Sequence, residues 1–274
     1  LAALCVVFAG LGLAGSSTAV AQDQAGATVP PPNMLFIGVE SPKQGLAPDV
    51  LENAESKYVQ AFANAKFPEY YLAMNAISGH PRTVFFYGYD SFAAAQKIHE
   101  DMEKDSTLMA ALKSADANES QMLKSNYTGA YVYRPELSLR APVDLAQMRF
   151  MEISILNIRP GHHHDFVAAT KMYNDAWSKD PTAHWATFEK WYGDDSGGRY
   201  IVVTPMKSLA DVDQEVAFDE QSSSSMSAED QKKMSDLVAV SIKSAETHLY
   251  VLSPKMSYVP DSWKSASPDF WGKK

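Results

Sequence analysis

Three ionisable side chains, Glu152, Glu189 and His248, stand in stretches otherwise rich in apolar and aromatic residues. A carboxylate held among Trp and Tyr is desolvated, which raises its pKa and suits it to taking a proton from an activated carbon or a phenol. Tyr71, Asn75, Trp185, Thr187, Trp191, Tyr131 and Tyr250 supply the mixture of rings and isolated polar groups that a small-molecule pocket requires. The first three residues are therefore the candidate catalytic groups and the other seven the candidate ligand contacts. The competing reading is structural: the same groups at strand ends, wetted or bonded to Tyr hydroxyls, would do no chemistry.

Other conspicuous residues carry less. His162, His163 and His164 are adjacent, and successive helical residues point about 100° apart, so the three cannot converge on one ion. Helical zinc sites space their histidines at i, i+4, and Asp165 suits a helix start. His184 beside Trp185, with Arg199 as a polar partner, is the residue a haem would use. No cofactor and no metal are expected, with haem left open. Asp194 and Asp195 fit a hairpin turn. There is no Gly-x-Gly-x-x-Gly after a strand, no Walker loop and no Gly-x-Ser-x-Gly, which disfavours nucleotide binding and triad hydrolysis. Whether the chain is an enzyme stays open at this level.

The net charge of −9 over 274 residues opposes binding to nucleic acid or anionic lipid, both of which need a positive surface, and favours a small-molecule partner. Leu1 to Ala21 has no charge, an apolar run and a closing Ala19-Val20-Ala21, the pattern of a secretory signal peptide. Export to the periplasm or beyond is the expected localisation. The one cysteine, Cys5, lies in that segment, so the remainder holds no disulfide and no thiolate. No second apolar run reaches the roughly 18 residues of a membrane span. The oligomeric state is not legible.

The elements that must position these residues occur twice. Leu35–Val39 and Arg149–Ile155 read as strands, each followed by a Pro/Gly turn and a helix, at 49–65 and 163–178. Leu51, Ala54, Tyr58 and Phe62 form an apolar stripe on the first helix, and Phe166, Ala169, Tyr173 and Trp177 stand 115 residues later. Paired strands follow, Tyr70–Ile77 with Thr83–Tyr89 and His184–Tyr192 with Arg199–Thr204. Second helical stretches, interrupted near Ser106 and at 222–225, run on through Lys124 and Glu246. Each copy ends on a strand, 131–135 and 250–254.

The expectation is an α+β chain of two tandem ferredoxin-like β-α-β-β-α-β repeats forming a pseudo-dimeric α/β barrel, because each such sheet has helices on one face only and the bare faces must cover each other. The divisions are a signal peptide at 1–21, a disordered linker at 22–33, repeats at 34–138 and 148–257 joined by a linker at 139–147, and a tail at 258–274. Alternation then assigns Leu72, Met74, Ala76, Ala186 and Phe188 to the helix-covered face. Tyr71, Asn75, Trp185, Thr187, Glu189, Trp191, with Phe36, Glu40 and Glu152, go to the lumen.

The strand ending in Ile158-Arg159-Pro160-Gly161, the helix with Phe166, Tyr173 and Trp177, and the following hairpin resemble the dimeric α/β-barrel superfamily, including NIPSNAP-like and antibiotic-biosynthesis-monooxygenase-like proteins. The resemblance covers roughly residues 34–257. It implies a small, often aromatic ligand in the lumen, oxidised without a cofactor in some members and joined by haem in others. Chlorite dismutases and dye-decolourising peroxidases are similar in being tandem copies of the unit. The function expected first is ligand binding without established catalysis; the alternative is a monooxygenase or haem-type oxidoreductase acting on a small aromatic compound.

Overall fold

A computed structural model describes residues 28–194 and 197–272, apart from the side chains of 222–225. The expected signal peptide, the first half of the linker at 22–33 and Asp195 lie outside the described residues. The first half comprises β1 (Met34–Pro42), α1 (Pro48–Ala65), β2 (Tyr71–Ala76), β3 (Thr83–Tyr89), α2 (Phe92–Lys104), α3 (Ser106–Glu119) and β4 (Leu123–Tyr133). The second repeats that order with β5 (Phe150–Ile158), α4 (His163–Trp177), β6 (Ala186–Tyr192), β7 (Arg199–Met206), α5 (Ala210–Ser225), α6 (Ala228–Ser241) and β8 (Ile242–Leu252). Two short C-terminal helices follow, α7 (Asp261–Ala266) and α8 (Pro268–Trp271). Among the described residues no helix is long and apolar enough to cross a membrane.

Local chemistry sets the boundaries. Helix α1 opens with Pro48 and Asp49, which suit its first turn, and stops where Lys66 turns left-handed at φ 49°. Asp105 both ends α2 and caps α3, its carboxylate accepting from the amides of Thr107 and Leu108. Ser227 caps α6 in the same manner. One expectation fails here: the helices stop at Glu119 and Ser241, and the residues expected to prolong them begin strands β4 and β8. After Leu123 and Ile242 both strands run on in exposed residues, 124–126 and 243–247, so they lack the alternation that would have marked them.

The eight strands are all antiparallel to their neighbours and close on themselves in the order β1-β3-β2-β8-β5-β7-β6-β4. Each half contributes a block in which its first strand is central, β4-β1-β3-β2 and β8-β5-β7-β6. Two seams join the blocks, β2 with β8 and β4 with β6. Closure removes every sheet edge.

Every strand sends residues into one shared lumen core, including Leu35, Ile37, Leu72, Met74, Val84, Phe86, Ile153, Ala186, Phe188 and Ile201. The face assignment above is therefore inverted. Leu72, Met74, Ala186 and Phe188 point inward, whereas Tyr71 packs outward with Tyr58, Phe62 and Phe85 beneath the helices. Both faces of the sheet are buried, so neither set of alternate residues is polar enough to declare itself the wet one.

One barrel end is stoppered. Residues 135–148, with short 3-10 turns at Pro135–Leu137 and Leu145–Gln147, meet the C-terminal helices there, and Ala141, Ala146, Val259, Trp263 and Trp271 join the lumen core. Trp271 Nε1 donates to the Ala146 carbonyl at 2.8 Å, and the Arg149 guanidinium lies 4.1 Å above the Phe270 ring. Val29 bridges to Val143 across the same end. The chain passes close enough that a Cβ on Gly88 would come within 2.9 Å of Pro32, which explains a residue without a side chain in mid-strand.

Candidate functional site

A cavity of about 560 Å³ lies where this plug meets the barrel. Leu72, Phe86, Met151, Ala186, Phe188 and Val203 line it from the strands, and Val143, Val259 and Trp263 from the plug. Toward α2 it is bounded by Lys97 and Asp101, an exposed ion pair at 2.6 Å, so this side faces solvent. An apolar chamber of this size accepts a small, largely hydrocarbon molecule.

Glu69 is the buried carboxyl of the lining, which Asp90 and Asp101 join at its exposed side. It sits just ahead of β2, is 5% exposed, and accepts a hydrogen bond from the Tyr89 hydroxyl of β3. Burial pushes Glu69 up to about 7, against the opposing pull of that hydrogen bond. A carboxyl with such a value exchanges a proton near neutrality, as a general base should. Burial likewise drives the Tyr89 hydroxyl well above its ordinary range, and the negative charge of Glu69 adds to it, so Tyr89 stays a donor.

The ten candidates from the sequence divide between the two faces. Tyr131, His248 and Tyr250 lie on the lumen side: Tyr131 and Tyr250 belong to its core, and His248 stands opposite the inward-facing Ile153. Tyr127 and Tyr131 share a hydrogen bond of 2.8 Å, Lys190 sits 4.8 Å over the Tyr127 ring, and His248 lies 3.4 Å from Arg82 and 3.2 Å from Glu246. None of these three lines the cavity.

The other seven face outward, and most are occupied structurally. Asn75 accepts from Thr83 at 2.9 Å, and Thr187 donates to the Leu137 carbonyl at 2.8 Å. Trp185 packs under α4 against Tyr173 and Trp177, while Trp191 is 52% exposed on the barrel exterior. Tyr71 touches the cavity from its helix side. Glu152 is raised by burial, but it lies beneath the second-half helices, where its charge acts on Glu215 and Tyr173. Glu189 pairs with Arg134, which also holds Glu136 at 2.6 Å. Glu189→Gln should cost about 1–2 kcal/mol by weakening this charged hydrogen bond and leave occupancy of the cavity unchanged, checked by urea melts alongside ligand titration.

Three of the conspicuous histidines are held by structural partners. His162 bonds to Asp165 at 2.8 Å and His163 to Tyr200 at 2.8 Å, so neighbours in sequence have separate partners. Both nitrogens of His184 face carbonyl oxygens, Thr182 at 2.7 Å and Pro205 at 2.8 Å, leaving neither for iron.

Glu69 and the plug are the features that sequence reasoning missed. The available signals were a carboxylate set among Phe67, Pro68, Tyr70 and Tyr71, and a terminal segment carrying Trp263, Phe270 and Trp271.

Comparison with solved structures supports the fold. An anthrone oxidase-like protein superposes with a TM-score of 0.52 at 9% identity, over 80% of this chain and 90% of its own. A Fusobacterium nucleatum protein with a provisional monooxygenase name gives 0.54 at 10% identity, over 80% and 91%. A chlorite dismutase variant from Candidatus Nitrospira defluvii gives 0.51 at 8% identity, over 86% and 96%. No protein-family profile matches the sequence, and no curated protein matches it. The chain is thus similar in fold to ferredoxin-like barrel proteins, and the match spans both of its halves.

Proposed function

We propose that the protein is a small-molecule oxidoreductase of the cofactor-free monooxygenase type, acting on an aromatic compound with an activated methylene or phenol. The observation that carries this reading is Glu69: a buried carboxyl, titrating near 7, at an apolar cavity that accepts such a molecule. Glu69 takes the proton, Tyr89 orients the carboxylate, and the apolar walls hold the resulting carbanion or phenolate away from bulk water. Dioxygen is the oxidant: a ring-flanked CH2 plus O2 gives C=O plus H2O, which balances without another co-reactant. The names carried by the similar structures favour an oxidoreductase over simple binding. The two halves we read as copies of one unit, and the segment Leu1–Ala21 as the signal for export.

Ala186→Phe tests the location, because the added ring enters the cavity. Incubation with a panel of anthrones and naphthols, followed by intrinsic fluorescence and oxygen uptake, should show at least tenfold weaker binding in this variant. Equal binding by both proteins would place the ligand elsewhere. Binding without oxygen uptake across the panel would favour the second reading, a carrier with no catalytic role.

A further inference from the structure

We propose that Glu40, Glu55 and Glu119 form a binding site for a hard divalent cation in the first half of the chain, between β1, α1 and α3. Each offers a carboxylate oxygen, these oxygens lie within 4.8 Å of one another, and all three residues are buried, at 4%, 1% and 2% exposure. A cation about 2.1–2.6 Å from each ligand spans such a triangle. Oxygen ligands alone, without imidazole or thiolate, suit calcium, magnesium or manganese rather than zinc or copper.

Two further observations point to an occupant. Glu55 Oε1 and Glu119 Oε1 have no hydrogen-bond partner, although Glu119 Oε2 is held by the Tyr58 hydroxyl at 2.5 Å. The Tyr71 hydroxyl, on the outward face of β2, is also buried and unpartnered. Of the charges acting on it, that of Glu55 is the strongest, followed by Glu69, Glu40 and Glu119. Buried polar atoms left without partners are uncommon and need an explanation.

Protons are the competing occupant. Burial raises Glu40 and Glu55; at Glu119 burial also pushes upward, but hydrogen bonds from those two and from Tyr58 contribute to a net lowering. Shared protons can pair the carboxylate oxygens with one another, but they leave the Tyr71 hydroxyl without a partner. A cation takes one oxygen from each carboxylate and brings bound water, to which Tyr71 can donate.

The test uses the full chain, stripped with EDTA and then supplied separately with Ca2+, Mg2+ and Mn2+ at about 1 mM. One of the ions should bind at about one equivalent by elemental analysis and raise Tm by roughly 5 °C or more. Glu55→Gln and Glu119→Gln should abolish the rise, and Asp236→Asn on the exposed face of α6 should retain it. Unchanged melting with all three ions, or a rise that survives both glutamine variants, overturns the proposal. Should those variants not fold, the wild type decides: Tyr-sensitised Tb3+ emission that saturates at one equivalent and is displaced by the stabilising ion supports the site, and no such emission overturns it.

Discussion

Glu69→Gln should stabilise the fold by about 3 kcal/mol at pH 8, have no effect near pH 4, and reduce turnover by about 10²–10⁴-fold. The stability effect follows from a native value near 7 against an ordinary 4.5. Below about pH 4.5 the folded and unfolded chains both hold the proton, so nothing is lost. Between pH 4.5 and 7 the unfolded chain releases it while the fold retains it, and stability declines as pH rises. Above 7 the buried carboxylate is ionised and the decline is complete. Glutamine removes the titration and still accepts from Tyr89. Urea melts at the two pH values, set beside oxygen uptake, check both halves of the expectation: a group kept for chemistry costs stability, and one kept for packing does not.

Trp271→Ala should destabilise by about 3–5 kcal/mol, the range for deleting a buried large aromatic side chain. Its ring packs 5.6 Å from that of Trp263, and its indole N–H satisfies the Ala146 carbonyl. The loss loosens both segments of the plug at once, because Arg149 ties Ser267 to the carbonyls of Ala146 and Met148. Trp271→Phe keeps most of the packing and gives up the hydrogen bond, for about 1 kcal/mol. Chemical denaturation separates the two. A full-sized loss in the Phe variant would assign the plug's strength to the bond rather than the ring.

Much of the architecture was legible because it rests on periodicity. The buried stripe of Leu51, Ala54 and Phe62 and that of Phe166, Ala169 and Trp177, and the paired strands after each helix, follow from burial; Tyr173 of the second stripe is 40% exposed. The direction of each face was not legible. Alternation separates Tyr71 and Ala73 from Leu72 and Met74, but all four are buried, so no contrast in polarity says which pair meets the lumen. The site suffered accordingly: Glu152 and Glu189 were placed in the lumen by a parity that the fold reverses, while Glu69 stands outside any strand and had no parity to read. The tail at 258–274 was delimited without any packing being assigned to it. A segment with two tryptophans has too much apolar surface to remain in water, and that composition outweighs its terminal position.

The β2–β8 ladder is the shortest in the ring, with three residue pairs; β4–β6 and β6–β7 hold four each and β2–β3 five, whereas β1 and β5 are bound to their neighbours through seven to nine. Opening the ring at β2–β8 would break the fewest ladder pairs and leave the other seven ladders standing. A molecule held in the lumen would then have a route in and out that costs little secondary structure.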